Sequence, residues 1–265
     1  MSEQTAVYMY GLLAPTAEVD GLTAVEDGSE VILISDGSVA CAATIVAGAA
    51  WLSEEHARAS ALAEWITPRA WRHHEVLRML HSTDAVVPLK FGTLCSDVDA
   101  VKGILGRLHQ PIVELLHQFR GRDEWTLRTI VDEAALSTVI QQRNPDLLAL
   151  TDSSDLPAGR AYFLRKQLQK TTSELMTRYL DLIHASLRDR LTGTGWRVSP
   201  VTGPHGARRA GTDLALLVDR ALFSELERVL EELEAEHSGV TFELVGPWPP
   251  YSFTDTLAVD AASVN

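Results

Sequence analysis

Adjacent histidines beside a carboxylate are the residues most suggestive of metal chemistry in this chain. His73 and His74 precede Glu75, and His81 follows in the same stretch. A helical zinc pair needs ligands at positions i and i+4, whereas adjacent helical side chains point about 100° apart. His81 is two helical turns from His74, which is too far for both to bind one ion. We therefore interpret these histidines as surface or hydrogen-bonded helix residues, and we predict no metal site.

A glycine-rich basic loop, TGPHGARRAG at residues 202–211, is the second candidate. Phosphate-binding loops of this composition lead from a strand into the N-terminus of a helix, but a strand is predicted after this one. We interpret the loop as a mobile surface connection. If it has a function, Arg208 and Arg209 are best suited to contact an acidic partner. The alternative hypothesis is a small-molecule-binding or enzymatic role through this loop.

Acid/base chemistry has little support in the sequence. Glu124 and Asp132 are eight residues apart on a predicted strand, a span of roughly 26 Å that excludes shared proton transfer. Lys90 stands alone on an apolar strand, where we interpret it as an edge-strand or snorkelling lysine, with a specific ion pair or a ligand role as the alternative. GxSxG, GxGxxG and HExxH patterns are all missing from the sequence. We predict no catalytic residues, no cofactor and no enzymatic activity.

Composition limits the possible partners and compartments. The chain has 265 residues and a formal net charge of -13, which argues against nucleic-acid binding because phosphates need concentrated positive charge. Cys41 and Cys95 show no ligand spacing and are predicted to be free thiols in a reducing cytosol. The longest weakly polar run, residues 39–52, is shorter than the roughly 20 residues that a membrane span needs. We predict a cytoplasmic protein without membrane association.

The first half of the chain contains stretches with strand periodicity and stretches with helical periodicity. Asp36-Gly37 between two β-rich runs predicts a hairpin, because a type I′ turn needs positive φ at both central residues. Pro68 is predicted to open a helix, and Pro111 to kink or split the helix that Ser96-Asp97 can cap. A further helix is predicted after Ser53. The predicted strands are Thr5–Leu13, Glu30–Ser35, Val39–Val46 and Ala85–Leu94.

From Glu124 onward the sequence predicts the element order β-α-β-β-α-β, if the short helix predicted at EAALSTVIQQ and the loop from Arg143 to Gly159 count as part of the first crossover. Apolar residues recur at helical spacing from about Gly159 to Leu191, and again after Asp219, which can cap the second helix. The predicted strands are Glu124–Asp132, Trp196–Val201, Thr212–Val218 and Val240–Val245. This is the ferredoxin-like order, in which helices pack on one face of a four-stranded antiparallel sheet.

These patterns together predict an α+β fold with two domains. The N-terminal α+β domain is predicted to cover residues 1–121, and the C-terminal ferredoxin-like domain residues 122–254. Residues 255–265 are predicted to form a flexible tail.

The least ordinary segment is GPWPPYSF at residues 246–253. Its three prolines restrict φ and favour extended backbone at the residues before them, so the segment is predicted to be stiff and non-helical. Its aromatic side chains are expected either to bind a partner or to brace the fold. The residues concerned are Trp248, Tyr251 and Phe253, together with Phe91.

Six blocks, in order along nearly the whole chain, resemble the GvpF/GvpL family of gas vesicle proteins. They are VYMYG at 7–11, EWITPRAWRHHEVL at 64–77, VVPLKFGTL at 86–94, EWTLRTIVD at 124–132, GRAYFLRKQL at 159–168 and FELVGPWPPYSF at 242–253. The terminal GPWPPYSF is the most specific of the six. The family's architecture, an α+β domain beside a ferredoxin-like domain, agrees with the element order predicted above.

The resemblance implies a non-enzymatic accessory or minor structural protein of gas vesicles, the gas-filled protein shells that give cells buoyancy. It implies two kinds of partner, the small hydrophobic shell-forming subunit and other gas vesicle accessory proteins. It also implies a role in nucleation or assembly of the shell. Lys90 stands where the family commonly has Arg, and this change loses the planar guanidinium needed for bidentate pairing with a carboxylate.

Overall fold

The computed structural model describes residues 5–47, 51, 59–147, 157–193, 196–200, 213–255 and 257. The chain divides into two compact units. Unit 1 comprises Met1–Glu124 together with Pro247–Asn265, and unit 2 comprises Trp125–Gly246. Residues 247–254 were predicted to end the second domain, but they group with unit 1. The physical reason is that Tyr251 packs against the core of unit 1 and Ser252 bonds to Glu124.

Unit 1 is built on an antiparallel sheet whose central strand is almost entirely buried. Its strands are β1 Thr5–Leu13, β2 Ile32–Asp36, β3 Val39–Ala47, β4 Val86–Pro88 and β5 Leu94–Cys95, and its helices are α1 Ala59–Thr83, α2 Val98–Arg107 and α3 His109–Phe119. The strand order is β2-β3-β1-β4, with β5 also paired to β1. Val76, Leu77 and Leu80 of α1 share one hydrophobic cluster with Tyr8 and Tyr10 of β1. Helices α2 and α3 also contact the sheet.

Several local predictions for unit 1 are confirmed. β2 and β3 pair as the predicted hairpin, although Asp36 pairs with Val39 and the two-residue turn is Gly37-Ser38, with a φ of 63° at Gly37. Asp97 caps α2 by accepting a hydrogen bond from the backbone N–H of Ala100. The helical stretch that follows is split in two, and Pro111 lies in the first turn of α3, where its missing N–H costs little.

Two predictions for unit 1 are wrong. Pro68 does not open a new helix, because α1 runs through it without a break. The helix is held there by Arg69, whose guanidinium lies 4.4 Å from the centroid of the Trp65 ring and donates to the Trp65 carbonyl. The single strand predicted over residues 85–94 is instead two short strands, β4 and β5. The turn between them needs a φ of 84° at Gly92, which ends the extended conformation.

Unit 2 follows the predicted order of elements. The strands that follow α3 are β6 Arg122–Val131, β7 Arg197–Pro200, β8 Leu214–Asp219 and β9 Val240–Trp248, and the helices that follow it are α4 Glu133–Arg143, α5 Ala158–Gly193 and α6 Phe223–Glu236. The sheet order is β7-β8-β6-β9, so the first and third strands lie in the centre. Asp132 caps α4 by accepting from the N–H groups of Ala134 and Ala135. The mixed α+β class is thereby confirmed.

The end of the chain differs from its prediction. β9 was predicted to stop at Val245, but it continues to Trp248. Tyr251–Phe253 then form a short 3-10 turn rather than an extended segment. The two prolines between the strand and the turn are buried. Among the described helices, none is long and apolar enough to cross a membrane.

Candidate functional site

A buried hydrogen-bonded chain joins three parts of unit 1 around His73. The carbonyl of Leu89 can only accept, so His73 Nε2 carries the proton and donates to it over 3.1 Å. His73 Nδ1 therefore accepts from the Tyr8 hydroxyl at 2.8 Å. The Tyr8 oxygen in turn accepts from the N–H of Gly92 at 3.3 Å. These bonds fix β1, α1 and the turn after Leu89 to one another.

Burial sets the charge state of this chain of groups. It lowers the pKa of His73 to about 4, although the hydrogen bond to the Leu89 carbonyl opposes the shift. Burial also raises the pKa of Tyr8 far above its usual range. His73 is therefore neutral at neutral pH. It is a satisfied core residue, as the sequence analysis allowed.

A second tyrosine on the same strand packs beside Tyr8 and stacks on the His73 ring. The Tyr10 oxygen accepts from the N–H of Val25 at 2.9 Å and lies 3.0 Å from Thr44 Oγ1. Because Thr44 Oγ1 donates to the Glu30 carbonyl, the Tyr10 hydroxyl is the donor to Thr44. Burial raises the pKa of Tyr10 as well. Both tyrosines of the VYMYG block are thus structural.

The C-terminal segment is held to unit 1 by a buried carboxylate. Glu124 Oε2 accepts from the backbone N–H of Ser252, and Oε1 accepts from the Ser252 hydroxyl, both at 2.8 Å. Burial raises the pKa of Glu124, and the two bonds from Ser252 partly offset that shift. Phe253 beside this clamp is only 3% exposed. The segment is therefore fastened along its turn.

An aromatic surface lies where this segment meets α1. The His74 ring is 5.4 Å from the Trp248 ring and 6.3 Å from the Tyr251 ring, measured between centroids. The Trp71 ring lies 6.5 Å from the His74 ring, also between centroids. Trp71 is 65% exposed, and Trp248 is half-buried. We name Trp71, His74 and Trp248 the aromatic face of unit 1.

Groups suited to catalysis are few among the described residues. No cluster of three or more potential metal ligands occurs in that part of the chain. Cys41 and Cys95 are both buried free thiols, as predicted. In unit 2 a groove of about 390 Å³ lies between α4 and α5. Its lining includes Glu133, Ser137 and Arg165 but neither histidine nor cysteine.

Comparison with known proteins identifies the family. The family model for gas vesicle synthesis protein GvpL/GvpF matches residues 6–255. The chain belongs to the GvpL/GvpF family. Gas vesicle protein L of Streptomyces sp. (strain CB03234) is 27% identical over 203 residues, which cover 74% of this chain and 73% of the relative. Gas vesicle protein F of the same strain is 24% identical over 184 residues, covering 69% and 76%.

Solved structures of family members share the fold. The crystal structure of the gas vesicle protein GvpF from Anabaena sp. PCC7120 superposes with a TM-score of 0.68 at 16% identity, covering 94% of this chain and 98% of that one. GvpF from Microcystis aeruginosa superposes with a TM-score of 0.59, also at 16% identity and with the same coverage. At this identity the match establishes the fold alone.

The site residues expected from the GvpL/GvpF resemblance lie in different environments. Phe91 is half-buried, and its ring contacts Tyr8 and Trp51 at centroid distances of 6.1 and 5.8 Å. Tyr251 packs against the same cluster as Phe91. Lys90 is exposed and has no ion-pair partner among the residues that the structure describes. Arg208 and Arg209, with the basic loop, lie outside the described residues.

Two residues of this GvpL/GvpF chain were missed by the sequence analysis. Trp71 could have been found from helical phase, because His73, Val76 and Leu77 mark the buried side of α1 and Trp71 falls on the other side. Glu124 was considered only as an acid/base partner of Asp132. Its true partner, Ser252, is 128 residues away in sequence, and no local pattern signals such a contact.

Proposed function

We propose that this protein assists gas vesicle assembly, without catalysis, by binding the hydrophobic shell-forming subunit. The observation that carries the proposal is the family match over residues 6–255, whose description is gas vesicle synthesis. A shell subunit presents apolar surface before it is assembled and aggregates unless another protein covers that surface. A folded helper with a net charge of -13 can hold such a subunit and remain dispersed.

The aromatic face of unit 1 is the best candidate for the contact. An exposed tryptophan is unusual, since tryptophan gains more from burial than most side chains and is enriched at binding hot spots. Trp71 is exposed, and Trp248 borders it through His74. The face is apolar enough to cover a hydrophobic subunit, and its half-buried members are already ordered.

We assign to the rest of the GPWPPYSF segment the role of holding Trp248 in place. Phe253 and Ser252 are buried, so neither can contribute contact area to a partner. The bonds from Ser252 to Glu124 fix the turn that follows Trp248. Trp248 is then presented by a rigid segment, and a partner that binds it avoids the entropy of ordering a loop. Phe91 supports the same region from the core.

The proposal is tested by capture of the purified shell-forming subunit on immobilised full-length protein. Trp71→Ala removes a side chain that is mostly in solvent, so folding is retained while binding weakens at least tenfold, as for a hot-spot tryptophan. Tyr162→Ala is the matched control, because Tyr162 is 63% exposed on α5 in unit 2. It should bind as the wild type does.

The same variants are then expressed in place of the wild type in a cell that makes gas vesicles. We expect few or misshapen vesicles with Trp71→Ala and normal vesicles with Tyr162→Ala, as seen by electron microscopy. Unchanged capture by a folded Trp71→Ala, Trp248→Ala double variant would remove the aromatic face from the proposal. Normal vesicles in cells lacking the whole chain would refute the assembly role itself.

A further inference from the structure

The groove between α4 and α5 in unit 2 takes no part in the shell contact proposed above. Arg143, in the last turn of α4, donates to the hydroxyl oxygen of Tyr179 in α5 at 3.3 Å. Glu133, at the start of α4, lines the groove together with Arg165. The two helices therefore run in the same direction, and the groove follows α5 from Arg165 to Leu180, over about 22 Å at the rise of an α-helix. Its volume of about 390 Å³ is typical of a ligand-binding cleft.

The neutral polar side chains of the groove offer both donors and acceptors. Gln141 Nε2 donates to Ser137 Oγ over 3.2 Å, which leaves the side-chain carbonyl of Gln141 and the hydroxyl proton of Ser137 available. Gln169 and Ser173 also line the groove, and their side chains make no hydrogen bond with any described residue. A lining that donates and accepts in this way matches amide groups, which do the same.

The charges and apolar contacts of the groove narrow the choice of ligand further. Among the described lining residues, Arg165 is the cation and Glu133 the carboxylate, so an anionic ligand is attracted by one and repelled by the other. Leu168 and Met176 supply apolar contact, and the thioether of Met176 adapts readily to different shapes. A plain acyl chain would leave the amides and hydroxyls of the lining unpaired, which is unfavourable. The lining therefore fits a neutral, amide-bearing chain with an apolar side chain.

Thr172 is an independent indication that the groove receives a hydrogen-bond acceptor. It lines the groove and is only 6% exposed, and its buried hydroxyl has no hydrogen-bond partner in the described part of the chain. Thr138 and Thr177, on the same two helices, each donate to the carbonyl four residues earlier, as helical threonines commonly do. A buried hydroxyl without a partner is costly and uncommon. Because threonine has two accessible rotamers in a helix, an acceptor held in the groove can capture this hydroxyl by rotation about χ1.

We propose that the groove between α4 and α5 binds a short, extended peptide segment of a partner protein. Backbone N–H groups of the peptide donate to the side-chain carbonyls of Gln141 and Gln169. Its backbone C=O groups accept from the hydroxyls of Thr172 and Ser173, and one apolar side chain packs on Met176. The peptide is extended because a helix uses its own N–H and C=O groups internally. At about 3.3 Å per extended residue, the groove holds roughly seven residues.

Phage display provides the test, with random peptides of this length selected on the immobilised full-length chain. Enriched peptides are synthesised with a fluorophore, and their Kd is measured by fluorescence anisotropy. Ser173→Trp places a large ring in the groove and should weaken binding at least tenfold. Ala185→Trp is the matched control, because Ala185 is an exposed residue of α5 outside the groove lining, and it should bind as the wild type does.

Thr172→Val separates a binding role of Thr172 from a packing role. The change removes the hydroxyl and keeps the shape of the side chain. Since this buried hydroxyl has no partner in the free chain, its loss should leave the protein as stable as before or more stable in urea unfolding. Peptide affinity should nevertheless fall about 2- to 10-fold, which corresponds to the loss of one neutral hydrogen bond.

Three results would overturn the proposal. The first is that the wild type enriches no peptide over selection on folded Ser173→Trp. The second is equal affinity of the enriched peptides for the wild type and Ser173→Trp, which would place their binding elsewhere on the protein. The third is a Thr172→Val variant with reduced stability and unchanged peptide affinity, which would assign Thr172 to packing. If no peptide is enriched but a fluorescent fatty acid binds and is lost in Ser173→Trp, the groove holds an acyl chain instead. The inference does not depend on binding of the shell-forming subunit, which was assigned to unit 1.

Discussion

At the scale of single residues, His73 shows how three of the family's sequence blocks are held together. One ring joins Tyr8 of the first block, its own helix and the Leu89 carbonyl of the third. The arrangement works only with a neutral ring, because Nδ1 must accept while Nε2 donates. Burial secures that state by lowering the pKa of His73 to about 4. Of the two adjacent histidines that resembled a metal site, His73 therefore joins elements of the core, and His74 belongs to the aromatic face of unit 1.

This pKa predicts a pH dependence of stability. The folded value of about 4 lies below the ordinary value of 6.5, so the unfolded chain binds the proton first as the pH falls. The stabilising contribution of neutral His73 is complete above about pH 6.5, decreases towards pH 4 and then levels off. His73→Phe should cost about 2–4 kcal/mol at pH 8, because it leaves the Leu89 carbonyl without this donor and the Tyr8 hydroxyl proton without an acceptor. At pH 5 the cost should be smaller by about 2 kcal/mol.

Urea unfolding followed by circular dichroism at pH 8 and pH 5 measures both differences. Tyr10→Phe is the control, because it removes a buried hydroxyl that does not titrate in this range. Its cost should be the same at the two pH values. If the cost of His73→Phe were also the same at both pH values, protonation of His73 would not contribute to the pH dependence of the free energy of unfolding.

At the scale of elements, Gly11 explains why β1 and α1 pack so closely. The register of β1 against β3 shifts between Met9 and Gly11, which leaves Tyr10 opposite no partner in β3. A Cβ atom at Gly11 would lie 2.8 Å from Leu77 Cδ2, 2.9 Å from Val86 Cγ2 and 3.0 Å from the Val87 carbonyl oxygen. The bulge and the missing side chain together let the helix approach the strand.

Gly11→Ala should therefore destabilise the protein by about 1–3 kcal/mol through overpacking. Gly103→Ala is the matched control, since Gly103 lies inside α2 and a Cβ there meets nothing within 4 Å. That change should be neutral or stabilise by up to about 1 kcal/mol, because alanine is the better helix former. Denaturant midpoints of the two variants give the comparison. Equal midpoints would mean that the core relaxes around the added methyl group.

The elements also show what the sequence could predict. The hairpin turn at Gly37 and the cap at Asp97 depend on neighbours within a few residues, and both predictions are confirmed. The continuity of α1 through Pro68 depends on packing along a whole helix, which outweighs a local proline rule. The split of residues 85–94 depends on one backbone angle at Gly92. Long-range contacts decide the cases where the local rules fail.

The candidate site was predictable only in part, for the same reason. The aromatic residues of GPWPPYSF were identified from composition, but their division into buried and accessible ones depends on where the segment packs. Phe253 is buried while Trp248 is half-buried, five residues apart. Trp71 completes the aromatic face from another block of the sequence. Helical phase alone marks it as exposed, but nothing local places it beside His74 and Trp248.

At the scale of the whole molecule, the path of the chain links the stability of unit 1 to its C-terminal segment. The chain leaves unit 1 after Glu124 and returns to it at Pro247. The returning segment supplies Phe253 and Tyr251 to unit 1, and Ser252 satisfies the buried Glu124. Unit 1 is therefore complete only with the returning segment, whereas every residue of the two hydrophobic clusters of unit 2 lies within Trp125–Gly246.

A chain that ends at Gly246 should consequently be weakened in unit 1 and not in unit 2. Each lost aromatic side chain contributes about 1.5–3 kcal/mol by burial, and Glu124 is left without its hydrogen-bond donors. Hydrogen exchange followed by mass spectrometry should show amides of Thr5–Leu13 exchanging at least tenfold faster, with those of Phe223–Glu236 unchanged. A chain ending at Leu257 keeps all of these contacts and should exchange as the full chain does. Faster exchange in both peptides of the shorter chain would mean instead that the two units unfold together, and no change in either would show that the segment does not stabilise unit 1.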